Sequence, residues 1–128
     1  MNELTAEWID KAEGDYATAN RERRARQHPN FDAVCFHAQQ SAEKYLKAFL
    51  QEHRVVFPRT HSLIELLEIA LPLDASFGLQ RDLLTQLERY AVRYRYPGES
   101  ADKNEARAAI QALTVVRAFI RERLGPHD

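Results

Sequence analysis

Cysteine is almost missing from this sequence. Cys35 is the only one, which excludes an internal disulfide and a thiolate-rich metal site and fits a reducing compartment. As a lone thiol it reads as a small buried hydrophobe. Glycine and proline are scarce too, at four and five residues, and most of them stand between periodic stretches, where they mark boundaries. No apolar run approaches the roughly 18 to 20 residues needed to cross a bilayer, so no membrane span is expected. The opening segment MNELTAEWIDKAEGD is acidic and amphipathic rather than signal-like, which makes a cytoplasmic location the expectation. An excess of one charge sign is also lacking: 18 Lys and Arg face 19 Asp and Glu, for a net charge of −1. Affinity for nucleic acid through bulk charge is therefore not expected. HExxH, Cys/His clusters, Gly-rich phosphate loops and nucleophile-elbow serines are absent, so neither a metal site nor a resident cofactor is expected.

What remains is the composition of an ordinary globular protein, 45% hydrophobic and 29% charged over 128 residues. That length suits one domain spanning residues 1–128 and is enough to bury a core without disulfide or metal staples. Apolar residues recur at helical spacing. A first helix is predicted from about Leu4 to Arg26, carrying Thr5, Trp8, Ile9, Ala12, Tyr16 and Ala19 on one face, and HPNFD (His28–Asp32) breaks it. A second runs from about Phe31 to His53, with Phe31, Val34, Cys35, Ala38, Ala42, Tyr45, Leu46 and Phe49 as its stripe. VVFPRT connects it to a third helix near Leu63–Leu71, whose start carries the capping pattern Ser62/Glu65. The fourth is predicted over Leu79–Tyr94, stopped by Pro97-Gly98. The fifth starts near Ser100 or Asp102 and ends at Leu124 before Gly125-Pro126. No segment reads as a strand. The expected fold is all-α, an antiparallel, up-and-down bundle of about five helices framed by the long first, second and fifth.

Three polar features stand out. On the second helix, His37, Gln40, Lys44 and Lys47 fall within a sector of about 80° at 100° per residue, opposite the apolar stripe. An imidazole, an amide and two ammonium groups in a row could hold a phosphate and a base edge; the plainer alternative is a solvated helix face. Asp15 shares the packing sector of the first helix with Trp8, Ala12 and Ala19. A carboxylate there needs a partner, for which Lys44 and His37 are the candidates. The segment ERYAVRYRYPG interleaves Arg89, Arg93 and Arg95 with Tyr90, Tyr94 and Tyr96, a pattern that suits base stacking with phosphate contact. In the plainer reading Tyr90 and Tyr94 are core residues. His61 stands at the mouth of the third helix, where free N–H groups favour anions. Fourteen of the 18 basic residues are arginine, the side chain with the planar fork for phosphates and carboxylates; a GC-rich genome gives the same bias.

The succession FDAVCFHAQQSAEKYLKAFL, FPRTHSL and YRYPG resembles the HEPN domain (higher eukaryotes and prokaryotes nucleotide-binding) over nearly the whole chain, from Ala12 through Leu124. The resemblance implies a helical bundle that homodimerises, often beside a minimal nucleotidyltransferase in a toxin–antitoxin-like pair, and that binds nucleotide or RNA. The ligand-binding residues expected here are His37, Gln40, Lys44, Lys47, Arg89, Arg93, Arg95 and Tyr96. A further branch of that family consists of metal-independent ribonucleases marked by an arginine, a following polar residue, and a histidine a few positions on. Loose matches occur at Arg21–His28, Arg23–His28, Arg54–His61 and Arg121–His127. Only Arg54–His61 lies near a family motif, and Val55 stands where a polar residue belongs; Arg95 has no histidine after it before the end of the next helix. The ribonuclease signature is not met, and Arg54 and His61 are the fallback catalytic pair. The readings thus run from a binding subunit, through a ribonuclease toxin, to a dimeriser without ligand. The first requires the polar row of the second helix and the Arg/Tyr strip to meet in one surface groove.

Overall fold

A computed structural model describes residues 1–125. Pro126 of the closing stop signal, and His127 with its spacing from Arg121, lie outside the described residues. Five α-helices account for most of the chain: α1 Glu3–Arg24, α2 Phe31–Glu52, α3 Leu63–Ala70, α4 Arg81–Glu88 and α5 Lys103–Leu124. No strand occurs among the described residues. Side chains fix the helix starts. Asn2 accepts from the Thr5 N–H, Asn30 from Ala33, Ser62 from Glu65 and Asp102 from Glu105, each satisfying an otherwise orphaned donor. At the end of α5, Gly125 turns the backbone with φ +78°, a conformation that favours glycine.

The polar ties between helices reveal their directions. Asn2 donates to the Gln51 carbonyl and Glu22 accepts from the Asn30 backbone N–H, so α1 and α2 run antiparallel. Asp32 meets Ala101, and Glu13 meets Arg117, which sets α5 alongside α2 and against α1. The connector 53–62 climbs back along α2, α3 descends, and α4 rises to meet α5. The result is the expected all-α bundle of five helices, with α1/α2, α3/α4 and α4/α5 antiparallel and α2 and α3 running the same way because the connector returns between them.

Two features depart from the sequence reading. The fourth helix is cut to Arg81–Glu88: residues 75–80 and 89–91 wind as 3₁₀ turns on either side. Leu79, expected on the apolar face, is 77% exposed. At the other end, the Glu88 carboxylate accepts from Ser62 Oγ (2.6 Å) and the Ile64 N–H (3.2 Å), pinning this point to the start of α3. The chain beyond tightens so that Tyr90 and Tyr94 both turn inward, stacked with ring centroids 6.1 Å apart. Tertiary contacts outweigh helical propensity here.

The second departure concerns α2, which is the centre of the bundle rather than an amphipathic surface helix. Tyr45, Leu46, Phe49 and Leu50 are wholly or almost wholly buried, each contributing about 1.5–3 kcal/mol by removal from water. Of the polar row expected on α2, Lys47 is buried and His37, Gln40 and Lys44 are half-buried, while the flanking Gln39, Ser41 and Glu43 also lie inside. At the opposite end from Phe49, the small residues Ala19, Val34 and Ala106 let α1, α2 and α5 approach closely around Ile110.

Candidate functional site

The polar residues of α2 divide into two networks, one toward α1 and one toward the connector. On the α1 side, His37 Nδ1 lies 2.8 Å from Asp15 Oδ1, and Lys44 Nζ donates to Asp15 Oδ2 at 2.5 Å. Ser41 Oγ donates to the Ala12 carbonyl and the Tyr45 hydroxyl to Glu13. On the connector side, Glu43 is enclosed; Lys47 donates to it at 3.0 Å and His61 Nδ1 lies 3.1 Å away. Gln39 donates to Glu43 and to the His61 carbonyl, while Gln40 donates to Gln39. The Gln-Gln-x-x-Glu-Lys segment therefore fastens α1 and the connector to the central helix. Lys47 is not a solvated cation but is buried against Glu43 and the Trp8 ring. Such pairing satisfies charges whose isolated burial would be very costly.

The Arg/Tyr strip is sited differently. The Tyr90 hydroxyl donates to Glu105 at 3.0 Å, and burial, with the Glu105 carboxylate adding to it, pushes this phenol up to about 12. Burial likewise raises Tyr94. Tyr90 is buried and stacks on Tyr94, whose half-buried ring is the one turned toward the surface. Arg93 packs over Tyr94 and lies within reach of Glu99 and Glu105. Arg95 crosses to α2, its guanidinium 5.7 Å from the Phe36 ring centre. It meets no carboxylate among the described residues. Arg89 and Tyr96 are exposed, Tyr96 by 71%.

Between strip and helix lies an open groove of about 410 Å³, walled by Asp32, Ala33, Phe36, Tyr90, Tyr94 and Arg95, with Asn30 at its end. Phe36 is the meeting point: Arg95 lies on one side, and the His37 ring stands edge-on at 5.4 Å. Of the residues singled out from sequence, the structure brings His37 and Arg95 to this common ring. Of the eight expected ligand residues only Arg95 lines the groove: His37 is bonded to Asp15, Gln40, Lys44 and Lys47 belong to the internal networks, and Arg89, Arg93 and Tyr96 lie outside the lining. Asp32, Phe36 and Tyr94 were not among the expected ligand residues, although Phe36 carried a signal. It is a large aromatic standing off the apolar stripe of its own helix, with no core role to explain it.

Arg54 and His61, the fallback pair, stand apart. Arg54 follows the end of α2 beside Gln51, whereas His61 is held at Glu43. Eight residues of helix, about 12 Å of axis, separate those levels within one chain. The His61 side chain is 79% exposed although its Nδ1 faces an enclosed carboxylate, so its other ring nitrogen points away from that anchor. Cys35 is buried, and burial pushes its thiol up to about 12, leaving it inert as a nucleophile. Among the described residues no group of His, Cys, Asp or Glu is placed to hold a metal ion, and no helix is long and apolar enough to cross a membrane.

Known proteins of the same shape exist. The chain superposes on TT1696 from Thermus thermophilus with a TM-score of 0.79 at 25% identity, covering 93% of this chain and 97% of that one. It also superposes on ST0689, described as an archaeal HEPN homologue, with a TM-score of 0.76 at 22% identity over 94% and 98% of the two chains. No curated protein matches the sequence. The model of the HEPN domain matches residues 5–123. With that match over almost the full length, and the same bundle in the solved structures, the chain belongs to the HEPN domain family.

Proposed function

We propose that this protein is a binding subunit. It forms a homodimer, takes a nucleotide or a short RNA segment in the groove between α2 and the Arg/Tyr strip, and works beside a minimal nucleotidyltransferase in a toxin–antitoxin-like pair in the cytoplasm. Residues 1–128 act as one HEPN domain. The observation that carries the reading is Arg95 poised over Phe36 with no carboxylate partner among the described residues, on a groove that Tyr94 also lines. A base can stack on such aromatic faces, for about 1–3 kcal/mol per base, while the guanidinium takes a phosphate. A volume of about 410 Å³ lies in the range of small-molecule sites. His37, next to Phe36, is the nearest member of the expected polar row. Gln40 and Lys44 support it from behind, Lys47 anchors the helix, and Arg89, Arg93 and Tyr96 extend the strip toward a longer RNA.

Calorimetric titration with nucleoside monophosphates and with a short single-stranded RNA tests this directly. Arg95→Ala is expected to weaken binding by tenfold or more while leaving the helical circular dichroism unchanged. An affinity that ignores Arg95 and Phe36 contradicts the groove. Sedimentation equilibrium gives the mass of the assembly, for which two chains are expected, and co-purification with a nucleotidyltransferase encoded next to it tests the pairing.

A second reading, a metal-independent ribonuclease, is favoured by one observation. His61 is exposed yet anchored through Nδ1 by Glu43, the arrangement that prepares an imidazole for proton transfer. RNA cleavage in the presence of chelator, abolished by His61→Ala, supports that reading. Unchanged RNA over long incubation removes it.

A further inference from the structure

We propose that the base taken by this groove is guanine, read by Asp32; the inference rests on the nucleotide reading given above. A carboxylate is an unusual lining group for a site that also receives a phosphate, because it repels the anion. Its presence beside the aromatic rings calls for something that donates hydrogen bonds.

Asp32 sits in the first turn of α2, and its Oδ1 accepts the Ala101 N–H at 2.6 Å. That bond ties the carboxylate to the chain leading into α5. Oδ2 has no donor among the described residues, and Asp32 lines the groove with Phe36, Tyr94 and Arg95. An acceptor-only group is therefore tethered and half-used, next to rings on which a base can lie.

The common bases differ in what they offer to such a group. Guanine alone presents two adjacent N–H donors, at N1 and the 2-amino group, which match the two oxygens of a carboxylate; Oδ1 has a lone pair left beyond the one given to Ala101. In adenine and cytosine the amino group is flanked by a ring nitrogen whose lone pair faces the second oxygen and repels it. Uracil presents carbonyls on both sides of its single N–H. Asn30, which also lines the groove, uses its Oδ1 to cap Ala33 and has its amide N–H₂ uncommitted among the described residues. It is the donor that guanine O6 requires. The charges are then separated along the ligand, with the base edge toward Asp32 and the phosphate toward Arg95.

The test uses the full-length protein, titrated separately with the 5′-monophosphates of guanosine, adenosine, cytidine, uridine and xanthosine. The wild type is expected to prefer the guanosine compound by roughly tenfold or more over the other four, the discrimination that a good two-bond base contact provides. Asp32→Asn keeps an oxygen for the Ala101 N–H but turns the free position from acceptor to donor. It is expected to lose the guanosine preference and gain for xanthosine, whose 2-carbonyl replaces the 2-amino group. Equal affinity for all five compounds, or a guanosine preference that survives in Asp32→Asn, overturns the guanine assignment and leaves the nucleotide groove standing. Absence of binding by any of the five, in a protein whose fold is intact by circular dichroism, overturns both.

Discussion

Glu13 concentrates the strongest electrostatic tie between helices. Arg117 grips both of its oxygens at 2.7 Å, the Tyr45 hydroxyl donates to it, and Arg121 stands 3.3 Å away. The hydrogen bonds from Arg117, more than any other cause, hold this carboxyl below the usual glutamate range. A carboxylate with a lowered folded-state value stabilises the fold fully above its unfolded value, and that contribution is lost as pH falls through the lowered one. Glu13→Gln is accordingly expected to cost about 1–2 kcal/mol near neutrality, a discounted figure for a part-exposed charged hydrogen-bond pair. The gap from wild type should close as urea denaturation is repeated at progressively lower pH, down to about pH 3. Asp15 poses a comparable case with a different consequence. Its side chain is 12% exposed, and Asp15→Ala leaves Lys44 enclosed without its counter-ion. A loss of about 2–3 kcal/mol is expected, with partial recovery in the double variant Asp15→Ala/Lys44→Met, read from denaturation midpoints. The need of Asp15 for Lys44 and His37 was legible in the sequence, because a carboxylate in an apolar helical sector must find a cation; Glu13 carried no such signal. Asp32 gave no comparable signal. It lies in the first helical turn, where acidic residues are commonplace, and only the arrival of Ala101 from 69 residues away makes it distinctive.

Among the elements, the junction of α3 with α4 is held by a short relay. Thr60 Oγ1 accepts the Ser62 N–H and donates to Glu65, Ser62 Oγ accepts the Glu65 N–H, and the same hydroxyl donates to Glu88. The Ser62/Glu65 capping pattern marked where α3 begins. In place of the usual return bond from Glu65 to the cap backbone, Thr60 acts as intermediary. Ser62→Ala removes a cap and leaves Glu88 with only the Ile64 N–H, so a loss of about 1–2 kcal/mol is expected, the upper part of the capping range. Amide exchange should show it as faster opening confined to α3 and the end of α4. The long helices were readable from periodicity to within three residues at either end, since each must bury a continuous stripe. α4 was not. Its apolar spacing from Leu79 to Tyr94 is helical, but Leu79 faces solvent, and Glu88 is taken up by α3. Periodicity records which residues are apolar; it does not record which neighbour interrupts the winding.

At the scale of the molecule, the bundle follows from five apolar stripes and short connectors, and the groove follows from how α2 is used. Because α2 is central, its polar residues are consumed in fastening α1 and the connector. The surface left for a ligand lies near its first two turns, where the Arg/Tyr strip folds over Phe36. The groove lies between the two segments singled out from sequence, but on α2 it is lined at residues 32–36 rather than by the polar row His37, Gln40, Lys44 and Lys47. A face opposite the apolar stripe is solvated only on a helix at the periphery, and position in the bundle is not written in one helix's own periodicity. The measurement that bears most directly on this arrangement is a nuclear magnetic resonance titration of the ¹⁵N-labelled protein with nucleoside monophosphates. The amide shifts expected to move are those of residues 30–37 and 89–96, saturating together. Shifts confined to the connector around Arg54 and His61, or none at millimolar nucleotide, would contradict a ligand groove at this end of the bundle.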